Sequence, residues 1–561
     1  MSERAEQPES QNASEEAHRE REHFFGAAKI MAILTMLSRV LGLVRDMLMI
    51  PLGPKVLADQ FWWAYSIPNL FRRLFGEGAL SAAFVPVFSE TAEAEGWDRA
   101  RVVLANVAGA LSVFLAALVA LTLAVLWGAS FWVSSESSFL LQMTAIVIPF
   151  MITICLLALG SAALQCRGKF AYPAFAPVLL NVALIATALW VAPQAMTESQ
   201  AAAALGEGAS NAQILAHQAV SNEWLFFCLG GALLVAGVAQ VVGVVWLLKR
   251  TGLAAIPTLR PMVPELRRVI KLMGPMMIPL GVLQFSAFLD RTLALVFAGD
   301  AAWQPLEVGA VRCLYASARL YMLPLGVLAI PIATVIFPLL SRYATRNDKQ
   351  GLCETTNRAL RLGLFLGVPS GLALMLIGKE MIGLFYQRGT FDATDTANGA
   401  LVLQMYCLGM WAYFCNQILL RAFFSIKRTR EPLRIAMCLV VLNTILVIGG
   451  IFTPLGVAAV GLATAITAGV NTLLLSWKLH GLFGELGIGN ILASLLKIAI
   501  ASAAMGAAMW WIGTYTYFGL SVWGRILHLA LECVAGAGIY FVATLLLGCV
   551  ELGELRKRNP A

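Results

Sequence analysis

Runs of roughly twenty apolar residues, parted by short polar connections, recur along this chain from residue 28 to residue 549. A run of that length is what a helix needs to cross a hydrocarbon core. They predict about fourteen helices, at 28–50, 58–85, 102–128, 139–165, 172–193, 223–248, 270–298, 309–340, 358–378, 398–425, 433–452, 455–478, 489–514 and 523–549. The expected fold class is all-α, a polytopic membrane protein. Residues 1–26 read as a disordered tail, 27–250 as a first lobe of six helices and 251–480 as a second lobe of six. Residues 481–550 hold helices 13 and 14, and 551–561 form a second tail. The polar, acidic first two dozen residues lack the basic start of a signal peptide, so the first span is expected to act as the targeting signal.

Composition agrees. The 561 residues are 59% hydrophobic and 13% charged, with a mean hydropathy of +0.77, too apolar for a soluble chain of this length. The net charge is +8, and its placement says more than its sum. Arg167 and Lys169, then Lys249, Arg250, Arg260, Arg267, Arg268 and Lys271, fall in alternate connections. So do Arg342, Arg346, Lys349, Arg358 and Arg361, and then Lys427, Arg428, Arg430 and Arg434. The long connection 194–222 has no Lys or Arg. By the positive-inside rule both termini are expected to be cytoplasmic. Ten cysteines are scattered, mostly within spans and without a CxxC or a Cys/His cluster, and read as packing residues.

The chain repeats itself. AAFVPVFSE at 82–90 recurs as TVIFPLLSR at 334–342. LQM at 141–143 and LLN at 179–181 recur, at one shared offset, as LQM at 403–405 and VLN at 441–443. Arg45-Asp46 has a looser echo in Asp290-Arg291. Six spans per copy bring both halves in from the same side, which relates the two lobes by a pseudo-twofold along the membrane normal.

Charges inside these spans are the candidate chemistry, because each costs roughly 2.5–3.5 kcal/mol at a helix centre. In the first span Ser38 and Arg45 share a face, as do Arg39 and Asp46. The competing reading has Arg45 and Asp46 near the outer end, snorkelling. In the second, Arg73 and Glu77 are spaced for local pairing, whereas Arg72 meets Gly76 at the same spacing and is freer to meet a ligand or to anchor the cytoplasmic end. Asp59 opens that helix. Arg319 sits deep in an apolar run broken by Pro324 and Pro331, with no acidic residue within a turn. Guanidinium forks match phosphate oxygens, so these arginines suit an anionic headgroup. Asp290 can pair with Arg291 or, with Asn443 and Thr464, hold a cation. The sequence lacks GxxxxGK[ST], HExxH, GxSxG and a DDxxD-like cluster, so no enzymatic activity is expected. Nothing points to nucleic acid.

SRVLGLVRD (38–46), Ala58-Asp59-Gln60-Phe61 and IPNLFRRLFGEGALSAAFVPVFSE (67–90) resemble the opening signature of the MurJ (MviN) family of lipid II flippases. SARLYMLPLGVLAIPIATVIFPLLS, FYQRGTFDATDT and PLGVAAVGLATAITAGVN extend the resemblance over almost the whole chain. It implies membership of the multidrug/oligosaccharidyl-lipid/polysaccharide exporter superfamily and a two-lobed, fourteen-helix fold in the bacterial inner membrane. It further implies transfer of lipid II, the undecaprenyl-diphosphate-linked peptidoglycan precursor, to the periplasmic leaflet. Arg39, Arg45, Arg72 and Arg319, with Ser38, map onto the family's substrate-binding positions, and Asp46, Asp59, Arg73 and Glu77 onto gate or cavity support. A family sodium site maps onto Asp290, Asn443, Thr464 and the backbone carbonyl of Val460. The chain departs from the pattern at Ala318 and Val447, where members carry acidic residues.

The expectation is therefore an alternating-access lipid II flippase driven by membrane potential or a cation gradient. Membrane lipids and cell-wall synthesis proteins are its expected partners. The alternatives are an exporter of another polyprenyl-linked saccharide or drug, and a non-transporting scaffold of cell-wall assembly.

Overall fold

The computed structural model describes residues 30–76, 79–132, 138–205, 209–254, 256–259, 262–484, 487–515, 521–551 and 553. The expected first tail, Glu77 and nearly all of the second tail lie outside the described residues. What is described is almost entirely helical, with a single isolated bridge between Ala298 and Leu306. Helix α1 covers 30–49. It is followed by α2 (Lys55–Phe71), a π-helical turn (Arg72–Gly76), α3 (Ala79–Glu95), α4 (Trp97–Ser130), α5 (Ser138–Val147) and α6 (Phe150–Cys166). Next come α7 (Ala171–Val191), α8 (Glu198–Leu205), α9 (Asn211–Arg250) and α10 (Pro264–Val296). The second half continues with α11 (Ala310–Pro324), a second π turn (Leu325–Ala329), α12 (Ile330–Thr345), α13 (Lys349–Tyr386) and α14 (Ala393–Leu408). It closes with α15 (Met410–Ser425), α16 (Arg430–Ile451), α17 (Ala458–Phe483), α18 (Ile488–Tyr515) and α19 (Val522–Leu546).

Ten helical stretches among the described residues are long and apolar enough to cross a membrane. The other four predicted spans coincide with α1, α2–α3, α10 and α14–α15. The connection 194–222 is not a loop. It holds α8 and the first turns of α9, started by a reciprocal cap in which Ser210 and Gln213 bond each other's backbone amides. Asn222, fully buried, clamps Met196 by accepting from its amide (2.8 Å) and donating to its carbonyl (3.0 Å).

The chain forms two compact units, 1–281 and 282–561. The division falls inside α10 rather than at the expected 250/251 boundary, because the start of α10 is tied to the first unit. Arg99 of α4 donates to Glu265 (2.9 Å), Asn106 accepts from the Val263 amide (3.4 Å) and Arg268 meets Glu90 (2.8 Å).

Each unit carries the same two interruptions. The π turns at Arg72–Gly76 and Leu325–Ala329 lie within one residue of the offset relating Pro86 to Pro338. A proline stands just before each, Pro68 and Pro324, and a missing amide there frees backbone carbonyls for the wider turn. The breaks between α5 and α6 and between α14 and α15 likewise fall within two residues of the offset relating Gln142 to Gln404. In the second unit α14 is held by close backbone approach. A Cβ at Gly371 of α13 would stand 2.8 Å from the Cys407 carbonyl, and one at Gly461 of α17 would stand 2.7 Å from that of Val402. All ten cysteines are free thiols, eight of them at least partly buried, as packing residues should be.

Candidate functional site

In the first unit a polar seam runs from Arg45 and Asp46 of α1 along α2 to Arg72. Arg45 is 6% exposed and Asp46 is fully buried. Arg45 wraps back on its neighbour, with Nε and Nη2 donating to Asp46 Oδ1 at 2.9 and 2.6 Å. Its Nη1 donates to Asn181 Oδ1 of α7 (3.1 Å) and reaches the Tyr65 hydroxyl of α2 (3.5 Å). Asn181 Nδ2 in turn donates to the Ser38 carbonyl (3.0 Å). From Tyr65 the seam runs on along α2. Asn69 Nδ2 donates to the Tyr65 carbonyl (3.0 Å), and Arg72 Nε reaches Asn69 Oδ1 (3.4 Å). Tyr65, Asn69 and Arg72 follow the four- and three-residue steps that stack one helix face.

Arg72 and Arg73 are part-buried at the π turn, Arg39 is exposed on α1, and Asp59 is buried on α2 at 2% exposure. The expected Arg73–Glu77 pairing lies outside the described residues. Arg45, expected to meet substrate, is engaged by Asp46 and Asn181 at one end of the seam that leads to Arg72. Sequence reasoning missed Asn181, Tyr65 and Asn69. The one available signal was the recurrence of Asn181 as Asn443.

The second unit repeats the arrangement with the opposite charge. Asn443 of α16 donates to Asp290 Oδ1 of α10 (2.8 Å), and Asp290 is 8% exposed. Arg291 does not pair with it; its guanidinium lies over the Tyr315 ring, 5.7 Å from the centroid. Thr467 of α17, another residue missed from sequence, reaches Asn443 Oδ1 (3.5 Å) and donates to the Thr464 carbonyl (3.1 Å). Thr464 donates to the Val460 carbonyl (2.8 Å). Asp290, Asn443 and Thr467 are thus linked side chain to side chain, while Thr467 and Thr464 bond back onto carbonyls of α17 itself. Val447 is fully buried and adds no oxygen.

Arg319 is part-buried on α11, just ahead of the second π turn. Higher on that helix Arg312, fully buried, donates to the Thr390 carbonyl (2.8 Å) and hydroxyl (3.1 Å) and pairs with Asp395. These contacts fasten the FYQRGTFDATDT segment between α13 and α14.

A family described as "Lipid II flippase MurJ" matches residues 50–528. The chain belongs to the MurJ family. It is 30% identical over 552 residues to a protein of Vibrio cholerae named probable lipid II flippase MurJ, covering 94% of this chain and 96% of that one. It is 30% identical over 470 residues to the lipid II flippase MurJ of Burkholderia cenocepacia, with coverage of 81% and 83%. A solved structure of a lipid II flippase MurJ in an inward closed conformation superposes with a TM-score of 0.66 at 23% identity, covering 92% of this chain and 98% of that one. An inward-facing multidrug resistance MATE transporter of the MOP superfamily superposes at 0.60 with 15% identity, covering 81% and 98%. MurJ proteins are transporters rather than enzymes. The two-halved helical fold is that of this wider group.

Proposed function

We propose that this chain is a lipid II flippase, moving the undecaprenyl-diphosphate-linked peptidoglycan precursor from the cytoplasmic to the periplasmic leaflet of the bacterial inner membrane. The observation that carries the reading is the seam in the first unit, where a buried network from Ser38 through Asn181, Arg45, Tyr65 and Asn69 ends on Arg72. Such a network is costly in an apolar helix bundle unless a polar cargo uses it.

In this reading Arg39, Arg72 and Arg319 contact the diphosphate and acidic headgroup in the course of transfer. Their planar forks suit phosphate oxygens, while the polyprenyl tail stays in lipid. Arg45 and Asp46 cancel each other and hold the wall straight, with Asp59, Arg73 and Glu77 supporting it. The π turns beside Arg72 and after Arg319 are the points where α2–α3 and α11–α12 bend as access alternates. Both termini face the cytoplasm, since the Lys- and Arg-rich connections all fall on their side. Membrane potential resets the cycle, one charge moved through 100 mV being worth about 2.3 kcal/mol. Asp290, Asn443, Val460, Thr464 and Thr467 would hold a sodium ion that couples the second unit to the cation gradient. Membrane lipids and cell-wall synthesis proteins complete the partners.

A drug exporter of the same fold would not need this arginine set, and a cell-wall scaffold would tolerate its loss. Replacing Arg39, Arg72 or Arg319 by Ala in cells that depend on this gene is expected to abolish periplasmic exposure of lipid II. Normal exposure with all three variants overturns the proposal.

A further inference from the structure

The end of α13 and the start of α19, a helix outside the repeat, bring three side chains together away from the seam: Glu380, His528 and Glu532. His528 and Glu532 are four apart and share one face of α19. His528 Nδ1 lies 3.6 Å from Glu380 Oε2, and its Nε2 lies 3.7 Å from Glu532 Oε1. One donor atom from each residue lies within 4.8 Å of the other two. Four-coordinate zinc holds its nitrogen and oxygen donors about 3.3 Å apart, so small side-chain rotations complete three corners of a shell.

Two observations set this cluster apart from a surface ion pair. Glu532 is 3% exposed, and among the described residues it accepts no hydrogen bond, the imidazole at 3.7 Å being beyond reach of one. A carboxylate placed so among apolar helices is costly unless a cation meets it. The cluster is also closed on one side and open on the other. A Cβ at Gly513 of α18 would stand 2.6 Å from Glu532 Oε1, so the α18 backbone closes the inner side. The Glu380 side chain is 47% exposed and leaves a route in.

We propose that Glu380, His528 and Glu532 form a binding site for a divalent transition-metal ion of the zinc class, which ties the end of α13 to the start of α19. One imidazole and two carboxylates favour such an ion over calcium or magnesium, which take oxygen alone.

The test is calorimetric titration of ZnCl2 into the full-length protein, purified in detergent and stripped with a chelator. One ion per chain is expected, with His528→Gln and Glu532→Gln each weakening binding tenfold or more. Glu380→Gln, on the exposed rim where folding is least at risk, is expected to weaken it several-fold. A cobalt(II) spectrum without thiolate charge-transfer intensity would separate the site from the ten cysteines. Absence of a stoichiometric ion, affinity unchanged in Glu380→Gln, a thiolate-type spectrum, or displacement of zinc by equimolar magnesium would each overturn the proposal.

Discussion

In the first unit Asn181 of α7 holds an arginine; in the second, the repeat-related Asn443 of α16 holds an aspartate. Both asparagines reach a charged residue of the first helix in their own repeat. The neighbours of those charges then behave differently. Arg45 folds back on Asp46 and forms a buried pair, whereas Arg291 turns away from Asp290 to lie over Tyr315. The first cluster is thus internally neutral and stiff. The second keeps a carboxylate among neutral oxygen and amide partners, an arrangement that a cation can complete. The repeat-related asparagines thus hold a neutral ion pair in one half and a lone carboxylate in the other.

The sharpest way to break this comparison is to neutralise each acid in turn. Asp46→Asn leaves Arg45 buried without its carboxylate and is expected to cost about 3–5 kcal/mol, read as a lowered unfolding temperature in detergent. A loss under about 1 kcal/mol would mean that Arg45 has another counter-charge.

A third buried pair, outside both clusters, calibrates that figure. Glu551 is 1% exposed and accepts from Arg361 Nε and Ser494, each at 2.7 Å, so the predicted second tail begins with an anchored residue. Burial alone would raise its carboxyl, but bonds from Ser494, its own amide and Arg361 outweigh that and hold it below the ordinary range. A depressed folded value means the stabilisation is present above the unfolded pKa, about 4.3, and is lost as pH falls through the folded one. Wild type and Glu551→Gln are expected to differ by about 3 kcal/mol at neutral pH and to converge below about pH 4 in thermal melts across pH.

The asparagines sharpen the contrast further. Asn181→Leu and Asn443→Leu each strip a buried polar group of its partner, at about 1–3 kcal/mol. The Asn181 variant is expected to be the more damaging, since it removes a bond from Arg45 and one to the Ser38 carbonyl. Equal losses in chemical denaturation would say that the two clusters are equivalent after all. The smallest effect belongs to Asp290→Asn, expected to shift stability by less than about 1 kcal/mol because its hydrogen-bond partner, Asn443, is neutral. Transport by this variant should no longer respond to a sodium gradient. Unchanged sodium dependence would remove the second cluster from the coupling scheme.

Much of this was legible beforehand, for identifiable reasons. Span positions follow from hydropathy alone, and the repeat was visible wherever packing demands the same residue twice, as at Pro86 and Pro338. The partners were not visible. Adjacent helix positions point about 100° apart, a rule that Asp290 and Arg291 obey. Arg45 is long enough to defeat it by curling onto Asp46. Asn181, Tyr65 and Thr467 carry no charge, so nothing in their composition marks them; only the neighbours supplied by α1, α2 and α16 give them a role. The helical content of 194–222 hid behind weak hydropathy, because its order comes from a cap and from Asn222 rather than from an apolar face.

The central claim is that Arg72, at the end of the seam, and Arg319 grip the diphosphate of the lipid. Its most direct test is the rate of lipid II translocation in proteoliposomes containing wild type, Arg72→Ala, Arg319→Ala or the corresponding lysine variants. The account predicts that both alanine variants fall more than tenfold and that lysine restores only part of the rate, since a point charge replaces a fork. Translocation within twofold of wild type in both alanine variants would contradict it.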